Sequence, residues 1–179
     1  MACISKLANA IAYDCDSGAT GLVSALIINK TDIASFTMRP GGLVTGINLA
    51  AGAKAYKIDT VKRSLVMSST LKINDGAPNA FTHTATITDM TNATSEAHFS
   101  FSSAISNGSF VILYVPAGTI HASVAGLYYG MGATAFDRSS HDNGSWSTVT
   151  LETPENVIGE DNLIMAAVTY NALYAAAVG

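Results

Sequence analysis

Charged residues are scarce in this sequence. Asp, Glu, Lys and Arg make up 12% of its 179 residues, whereas an average soluble domain has about 25%. Serine, threonine, asparagine and glycine must therefore cover much of the surface. Such a surface suits a protein that buries part of itself against neighbours, because burying a Thr costs little and burying an unpaired Lys costs much. A monomer with a polar but uncharged surface is also compatible with this composition.

Basic clusters are missing as well. The nine Lys and Arg residues are scattered, Lys62 and Arg63 are their only adjacent pair, and the formal net charge is −4. Domains that bind nucleic acid usually carry a basic stripe that contacts phosphates. We therefore expect no specific binding of nucleic acid.

Cysteine is limited to Cys3 and Cys15. Two cysteines in a chain of this size do not make a disulfide framework, and no second pair is present to complete four zinc ligands. We interpret them as small, partly buried thiols in a reducing compartment, and leave open whether they pair.

Long apolar runs are also absent. The most apolar stretches, 22–28 and 110–115, are well short of the roughly 18 residues that a membrane-spanning helix needs. The first residues have one late lysine, Lys6, and no long apolar core, so no secretion signal is expected. The sequence predicts a protein without a membrane partner that stays in the cytoplasm or leaves it inside a larger particle.

What the sequence does contain predicts a mainly β structure. The clearest strand is 81–88, where four threonines alternate with Phe, His, Ala and Ile, as in a half-buried strand. It follows the segment 56–73 and an Asn-Asp-Gly turn at 74–76, so the two segments are expected to form a hairpin. Other predicted strands are 22–29, 33–38, 110–115 and 146–153, and 43–53 is predicted to be a strand or an irregular arm.

One helix is predicted over 94–105. Thr94 is a suitable N-cap, apolar residues follow at helical spacing, and Asn107 with the next glycine can end the helix. The last apolar segment, 163–174, is predicted to be a strand rather than a short helix, because of its Val-Thr-Tyr run. No repeat or linker divides the chain, so residues 1–179 are expected to form a single domain.

No catalytic, cofactor-binding or metal-binding constellation is recognisable. The histidines are well separated and lack ligand spacing, and His83 is expected to be a packed or interface residue. The segment 137–142 could offer His and Asp to a serine, but nothing resembles a nucleophile elbow. The acidic residues near Gly159 do not have the spacing of an EF-hand. These acidic residues and the other histidines are Glu155, Glu160, Asp161, His98, His121 and His141. We therefore expect a protein that is not an enzyme and needs no cofactor or metal.

Several segments carry a resemblance to a known family. The chain opens with MACISKL at 1–7 and IAYDC at 11–15, and later contains GLYY at 126–129 and WSTVTLETP at 146–154. The order of hairpin strands, helix, apolar strand and glycine-containing loop resembles that of the tail tube (major tail) proteins of long-tailed bacteriophages. The quoted runs resemble virion proteins from phages of Bacteroidetes hosts, and the likeness spans most of the chain.

The resemblance implies a fold and a mechanical function. The fold would be mainly β, with a β-sandwich or barrel-like core, one flanking α-helix and an extended hairpin or loop arm, either 39–54 or the hairpin at Asn74. Subunits would form hexameric rings that stack into a tube, with sheets joined edge to edge around a lumen that conducts DNA without binding it specifically. The partners would be copies of the same chain and other tail or virion proteins. The location would be the virion, after assembly in the cytoplasm of the host bacterium.

Other functions stay open at this point. The chain could be another virion component, such as a head decoration, tail completion or fibre protein. It could also be a soluble β-sandwich module that binds carbohydrate through Tyr128, Tyr129 and Trp146 as stacking platforms. If it is a tube protein that uses strand 81–88 as an interface, adding charge at Thr84 should block polymerisation more than folding.

Overall fold

The computed structural model describes residues 21–58, 65–73, 80–89, 103–141, 144–154 and 162–178. Within these ranges the chain forms eleven strands and a C-terminal helix, Ala167–Ala176. The strands are β1 (Leu22–Asn29), β2 (Ile33–Arg39), β3 (Leu43–Leu49), β4 (Tyr56–Ile58), β5 (Leu65–Lys72), β6 (Ala80–Asp89), β7 (Ser109–Pro116), β8 (Ala122–Ala125), β9 (Met131–His141), β10 (Gly144–Glu152) and β11 (Leu163–Met165).

All eleven strands belong to one mixed sheet that divides at β7. One edge of β7 pairs with β1, which pairs in turn with β4. The other edge pairs with β9 at Ser109 and Phe110, and with β8 from Ile112 to Tyr114. From β8 the sheet continues through β11 and β3 to β2, and from β9 it continues through β10 and β6 to β5. We call these two parts the β2 wing and the β5 wing.

The central strands β1 and β7 separate two hydrophobic cores. In β7, Phe110 and Ile112 pack in the core of the β5 wing, while Val111 and Leu113 pack in the core of the β2 wing. Successive side chains of a strand point to opposite faces of the sheet, so a strand covered on both faces must be apolar throughout. This arrangement explains the unbroken apolar run at 110–115.

A tight loop connects β8 to β9 where the wings diverge. Gly126 has φ +80°, and a Cβ there would lie 2.7 Å from the carbonyl oxygen of Phe110. Gly130 has φ +76° and donates its backbone N–H to the Gly126 carbonyl at 2.8 Å. Only glycine combines positive φ with so close an approach to a neighbouring strand. The loop can therefore lie directly against β7.

The C-terminal helix corrects one sequence-based prediction. The segment 163–174 is a strand only at Leu163–Met165 and is helical from Ala167. Tyr170 is buried, and its hydroxyl donates to Ser24 Oγ at 2.8 Å. Burial raises the pKa of the Tyr170 phenol above its ordinary value, and the hydrogen bond with Ser24 opposes that rise. Tertiary packing of the helix on β1 outweighs the β preference of the Val-Thr-Tyr run.

The mainly β class with a flanking helix is confirmed. The helix that flanks the sheet is the C-terminal one. Of the helix predicted over 94–105, residues 94–102 lie outside the described residues. Residues 103–107 are helical, and Asn107 Nδ2 donates to the Ser103 carbonyl at 2.9 Å. The predicted strand 56–73 is two separate strands, because β4 pairs with β1 and only β5 forms the hairpin with β6.

Candidate interaction surface

β5 is the outermost strand of its wing. It pairs with β6 over eight consecutive residue pairs without a register shift, from Leu65 opposite Ile87 to Lys72 opposite Ala80. Among the described strands, none pairs with its other edge. A regular open edge of this length is a template on which another strand can add through backbone hydrogen bonds.

The side chains along β5 do little to protect this edge. Val66 is 50% exposed, Leu71 is 49% exposed, and Ile73 just beyond the strand is 75% exposed. Lys72 is the only charged residue of the strand. Natural edge strands are usually protected by charge, proline, bulges or short length. β5 has one terminal lysine, its other seven residues are uncharged, and its pairing is regular.

The opposite end of the sheet is less regular. β2 pairs with β3 with register shifts between Ile33 and Ser35 and between Thr37 and Met38. The strand ends at Arg39, and Pro40 follows. Bulges twist a strand, and proline cannot donate a backbone hydrogen bond. Of the two strands that end the longest strand order, β2 and β5, β5 is therefore the better template.

The threonine strand predicted from the sequence is β6, which lies inside the sheet. Both of its edges are occupied, one by β5 and the other by β10. Strand β6 therefore offers no free edge for backbone pairing, and the expectation that its outward face takes part in assembly stays a prediction. Its threonines instead form a polar face with residues of the two neighbouring strands. We call this the threonine face, and it comprises Thr70, Thr82, Thr84, Thr86, Thr88, Thr148 and Thr150.

A polar contact fixes β5 to the rest of its wing. Ser69 Oγ lies 2.8 Å from His83 Nδ1 on β6. The backbone N–H of His83 donates to Thr153 Oγ1 at 3.0 Å, and the Thr153 N–H donates to the His83 carbonyl at 3.1 Å. His83 is 1% exposed and stacks on Phe81. It is thus a packed residue that connects the edge strand to the end of β10.

Aromatic residues of the β8–β9 loop pack on β2. The rings of Phe36 and Tyr128 meet edge to face at 5.7 Å, and the Tyr128 hydroxyl donates to Met38 Sδ at 3.6 Å. Lys30 Nζ lies 6.0 Å from the centre of the Phe36 ring. Tyr129 is more exposed than Tyr128. Tyr128 therefore packs within the β2 wing. An aromatic surface for stacking a sugar ring would have to be supplied by Tyr129.

The other residues considered from the sequence do not meet at one site. His121 is exposed in the turn between β7 and β8, and residues 137–141 belong to β9 rather than to a loop. The side chains of His141 and Trp146 are not among those described. The following residues lie outside the described ranges altogether: Cys3, Cys15, Lys62, Arg63, Asn74, His98, Glu155, Glu160 and Asp161.

The described ranges contain neither a candidate metal cluster nor a candidate membrane-spanning helix. No group of three or more His, Cys, Asp or Glu side chains in them is placed to hold a metal ion. None of the helices in the described part of the chain combines the length and the apolar character needed to cross a membrane.

No protein-family model matches the chain, and no curated protein matches it significantly.

Proposed function

We propose that this protein is a structural subunit that assembles with copies of itself, as the tail tube protein of a long-tailed bacteriophage does, and that it is not an enzyme. The observation that carries the proposal is the regular, open and largely uncharged edge of β5. Such an edge favours extension of the sheet by a strand of another subunit.

A closed ring forms only if each subunit pairs one edge of its sheet with a different edge of the next subunit. If β5 paired with β5 of a second copy, the contact would be two-fold symmetric and would stop at a dimer. A ring requires β5 to pair with a different edge of the next subunit, and β2 is the outermost strand at the other end of the same sheet. Pairing of β5 with β2 would join the sheets of all subunits and leave neither edge open.

The threonine face supports a role as the lining of a channel. Its hydroxyls are polar but uncharged, and the register places Glu152 beside Thr84 and Asp137 beside Thr148. Where β5 contributes to this face, its only basic residue is Lys72. DNA affinity depends mainly on neutralising phosphates with Lys and Arg. A lumen lined by this face would let DNA pass without holding it, inside a virion.

Negative-stain electron microscopy and mass photometry across a concentration series test the proposal. The wild-type protein is expected to form rings or stacked tubes with a central hole. Leu71→Lys places a charge on the β5 edge and is expected to remain a folded monomer. Asn171→Lys adds the same charge on the exposed surface of the C-terminal helix and should assemble as the wild type does.

Three outcomes would contradict the proposal. A wild-type protein that remains monomeric at every concentration, including with pre-formed tail-tip complexes as initiators, would exclude a tube subunit. Rings that form equally well from Leu71→Lys would show that the β5 edge is not the interface. A monomer that binds carbohydrate through Tyr129 would favour a binding module instead.

A further inference from the structure

The side chains of β5 form two rows along its open edge, because successive residues of a strand point to opposite faces of the sheet. The row that begins with Leu65 faces the core of the β5 wing, and the other row belongs to the outward face. Leu65 is 4% exposed, whereas Leu71 at the far end of its row is 49% exposed. The inner row is Leu65, Met67, Ser69 and Leu71, and the outer row is Val66, Ser68, Thr70 and Lys72.

A strand that adds to this edge without disturbing either face must continue both rows. A second copy of β5 does so when a two-fold axis perpendicular to the sheet relates the two copies. Rotation about such an axis keeps each face of the sheet on its own side, so that inner row meets inner row and outer row meets outer row. The two strands are then antiparallel, and each residue lies opposite a residue of its own row.

The position of the axis decides which residues meet. With the axis at Ser68, Leu65 of each copy lies opposite Leu71 of the other, and Lys72 lies beyond the paired residues. With the axis one residue further along the strand, Lys72 would lie opposite Val66. The first register covers the half-exposed Leu71 with a leucine. It also holds the two lysines at opposite ends of the strand pair, where their like charges do not meet.

We propose that the free subunit covers its β5 edge with β5 of a second copy, in a two-fold dimer centred on Ser68. An uncovered regular edge makes a free subunit prone to aggregate, and the dimer removes that edge. One strand pair is a small interface, so the contact is weak and can be exchanged for the edge of another subunit. The dimer stands independently of the proposed function, whereas its opening on entry into a tube rests on that function.

A cysteine on the proposed axis tests the dimer. Cys3 and Cys15 are replaced by serine in every variant, which leaves the introduced thiol as the only one. The two Cα atoms at position 68 would lie about 4.5 or about 5.5 Å apart, depending on whether the pair is hydrogen-bonded, and a disulfide spans either distance. Ser68→Cys should therefore give a disulfide-linked dimer on mild oxidation, at a concentration where sedimentation velocity shows nothing larger than a dimer.

Thr70→Cys is the matched control, since Thr70 is exposed on the same face of the same strand. In the proposed register the two copies of this residue lie about 13 Å apart along the strands, too far for a disulfide. We expect at least about tenfold less linked dimer than from Ser68→Cys. A mixture of Val66→Cys and Thr70→Cys chains should link as a heterodimer, which repeats the test if Ser68→Cys does not fold. Circular dichroism checks the fold of each variant.

Equal linking of Ser68→Cys and Thr70→Cys would show that the edges meet without a fixed register and would overturn the dimer. Absence of linking in Ser68→Cys and in the mixture, with folded chains and reactive thiols, would overturn it as well. Tubes that form in spite of that absence would leave the proposed function standing. Linked dimers of a chain that never forms tubes would support the dimer and contradict the tube.

The linked dimer also tests the opening step. Because its β5 edges are locked together, oxidised Ser68→Cys should form no tubes until a reductant is added. Tubes from the oxidised dimer, seen by electron microscopy, would overturn the opening of the β5 pair as a step in assembly.

Discussion

Ser69 on the outermost strand β5 lies directly opposite His83 on β6, with 2.8 Å between the serine Oγ and the histidine Nδ1. The contact joins an exposed edge position to a buried one. It adds a side-chain hydrogen bond to the eight backbone pairs that hold β5 on β6.

Removing the serine hydroxyl should loosen that edge. Ser69→Ala is expected to lower the free energy of unfolding by about 1 kcal/mol, the typical net value of one hydrogen bond. Urea denaturation followed by circular dichroism measures the change. Ser68→Ala, next to it on the exposed face, should change stability by less than about 0.5 kcal/mol. Equal effects of the two substitutions would mean that the contact with His83 adds nothing.

Two glycines with positive φ should respond differently to alanine. Gly41→Ala, at φ +93° with open space around it, carries only the conformational penalty of about 1–2 kcal/mol. Gly126→Ala adds a collision with the Phe110 carbonyl, so we expect a further loss of about 1–3 kcal/mol. The midpoints of urea denaturation compare the pair. A Gly126 variant as stable as the Gly41 variant would show that the loop can move away from β7.

The raised pKa of Tyr170 makes stability depend on alkaline pH. Because the folded protein holds the phenol proton more tightly than the unfolded chain does, this stabilisation is complete below the ordinary tyrosine pKa of about 10 and is lost as the pH rises through the folded pKa. Tyr170→Phe should lose about 1 kcal/mol at neutral pH from the bond with Ser24. It should also show a smaller decline in stability than the wild type as the pH rises above about 10.

Tyr174→Phe is the control for that measurement, since Tyr174 stacks on Tyr170 without being fully buried. Urea denaturation at several pH values gives the comparison. If the free energy of unfolding falls at alkaline pH as much in Tyr170→Phe as in the wild type, the pH dependence arises from other groups.

Charged substitutions of Thr84 test whether the threonine face, rather than the β5 edge, contacts a neighbouring subunit. Thr84 lies between Ser68 and Glu152 on neighbouring strands. Thr84→Glu puts two like charges side by side, which costs about 0.2–1 kcal/mol, whereas Thr84→Lys gives Glu152 an opposite charge. If the threonine face lines a lumen, both variants should still assemble. Electron microscopy then shows tubes for both, and a block of assembly by both would mean that the face contacts a neighbouring subunit.

The strand positions were largely readable from local pattern. Segment 22–29 and segment 110–115 were predicted as strands, and the structure has β1 and β7 there, because short apolar runs between turn residues have few other folded states. The C-terminal helix was predicted wrongly as a strand. The Val-Thr-Tyr run favours extended structure, but the buried contact of Tyr170 with β1 outweighs that preference.

The candidate surface was only half predictable. Alternation in 81–88 correctly gave the two faces of the strand, with Ala85 and Ile87 buried and the threonines turned outward. It could not show that β10 would pair with one edge of this strand and β5 with the other. Which strand is outermost depends on pairing between residues far apart in sequence, and no local pattern encodes it.

The sequence by itself determined the mainly β class, the scarcity of charge and the polar threonine row, because these follow from composition and a period of two residues. Only the tertiary structure decided that the sheet divides at β7, that β5 is left at its edge, and that Tyr170 of the C-terminal helix reaches Ser24 of β1. The physical reason is that backbone hydrogen bonds are the same for every strand. The order of strands in a sheet is therefore chosen by the burial of whole faces and by the turns that connect them.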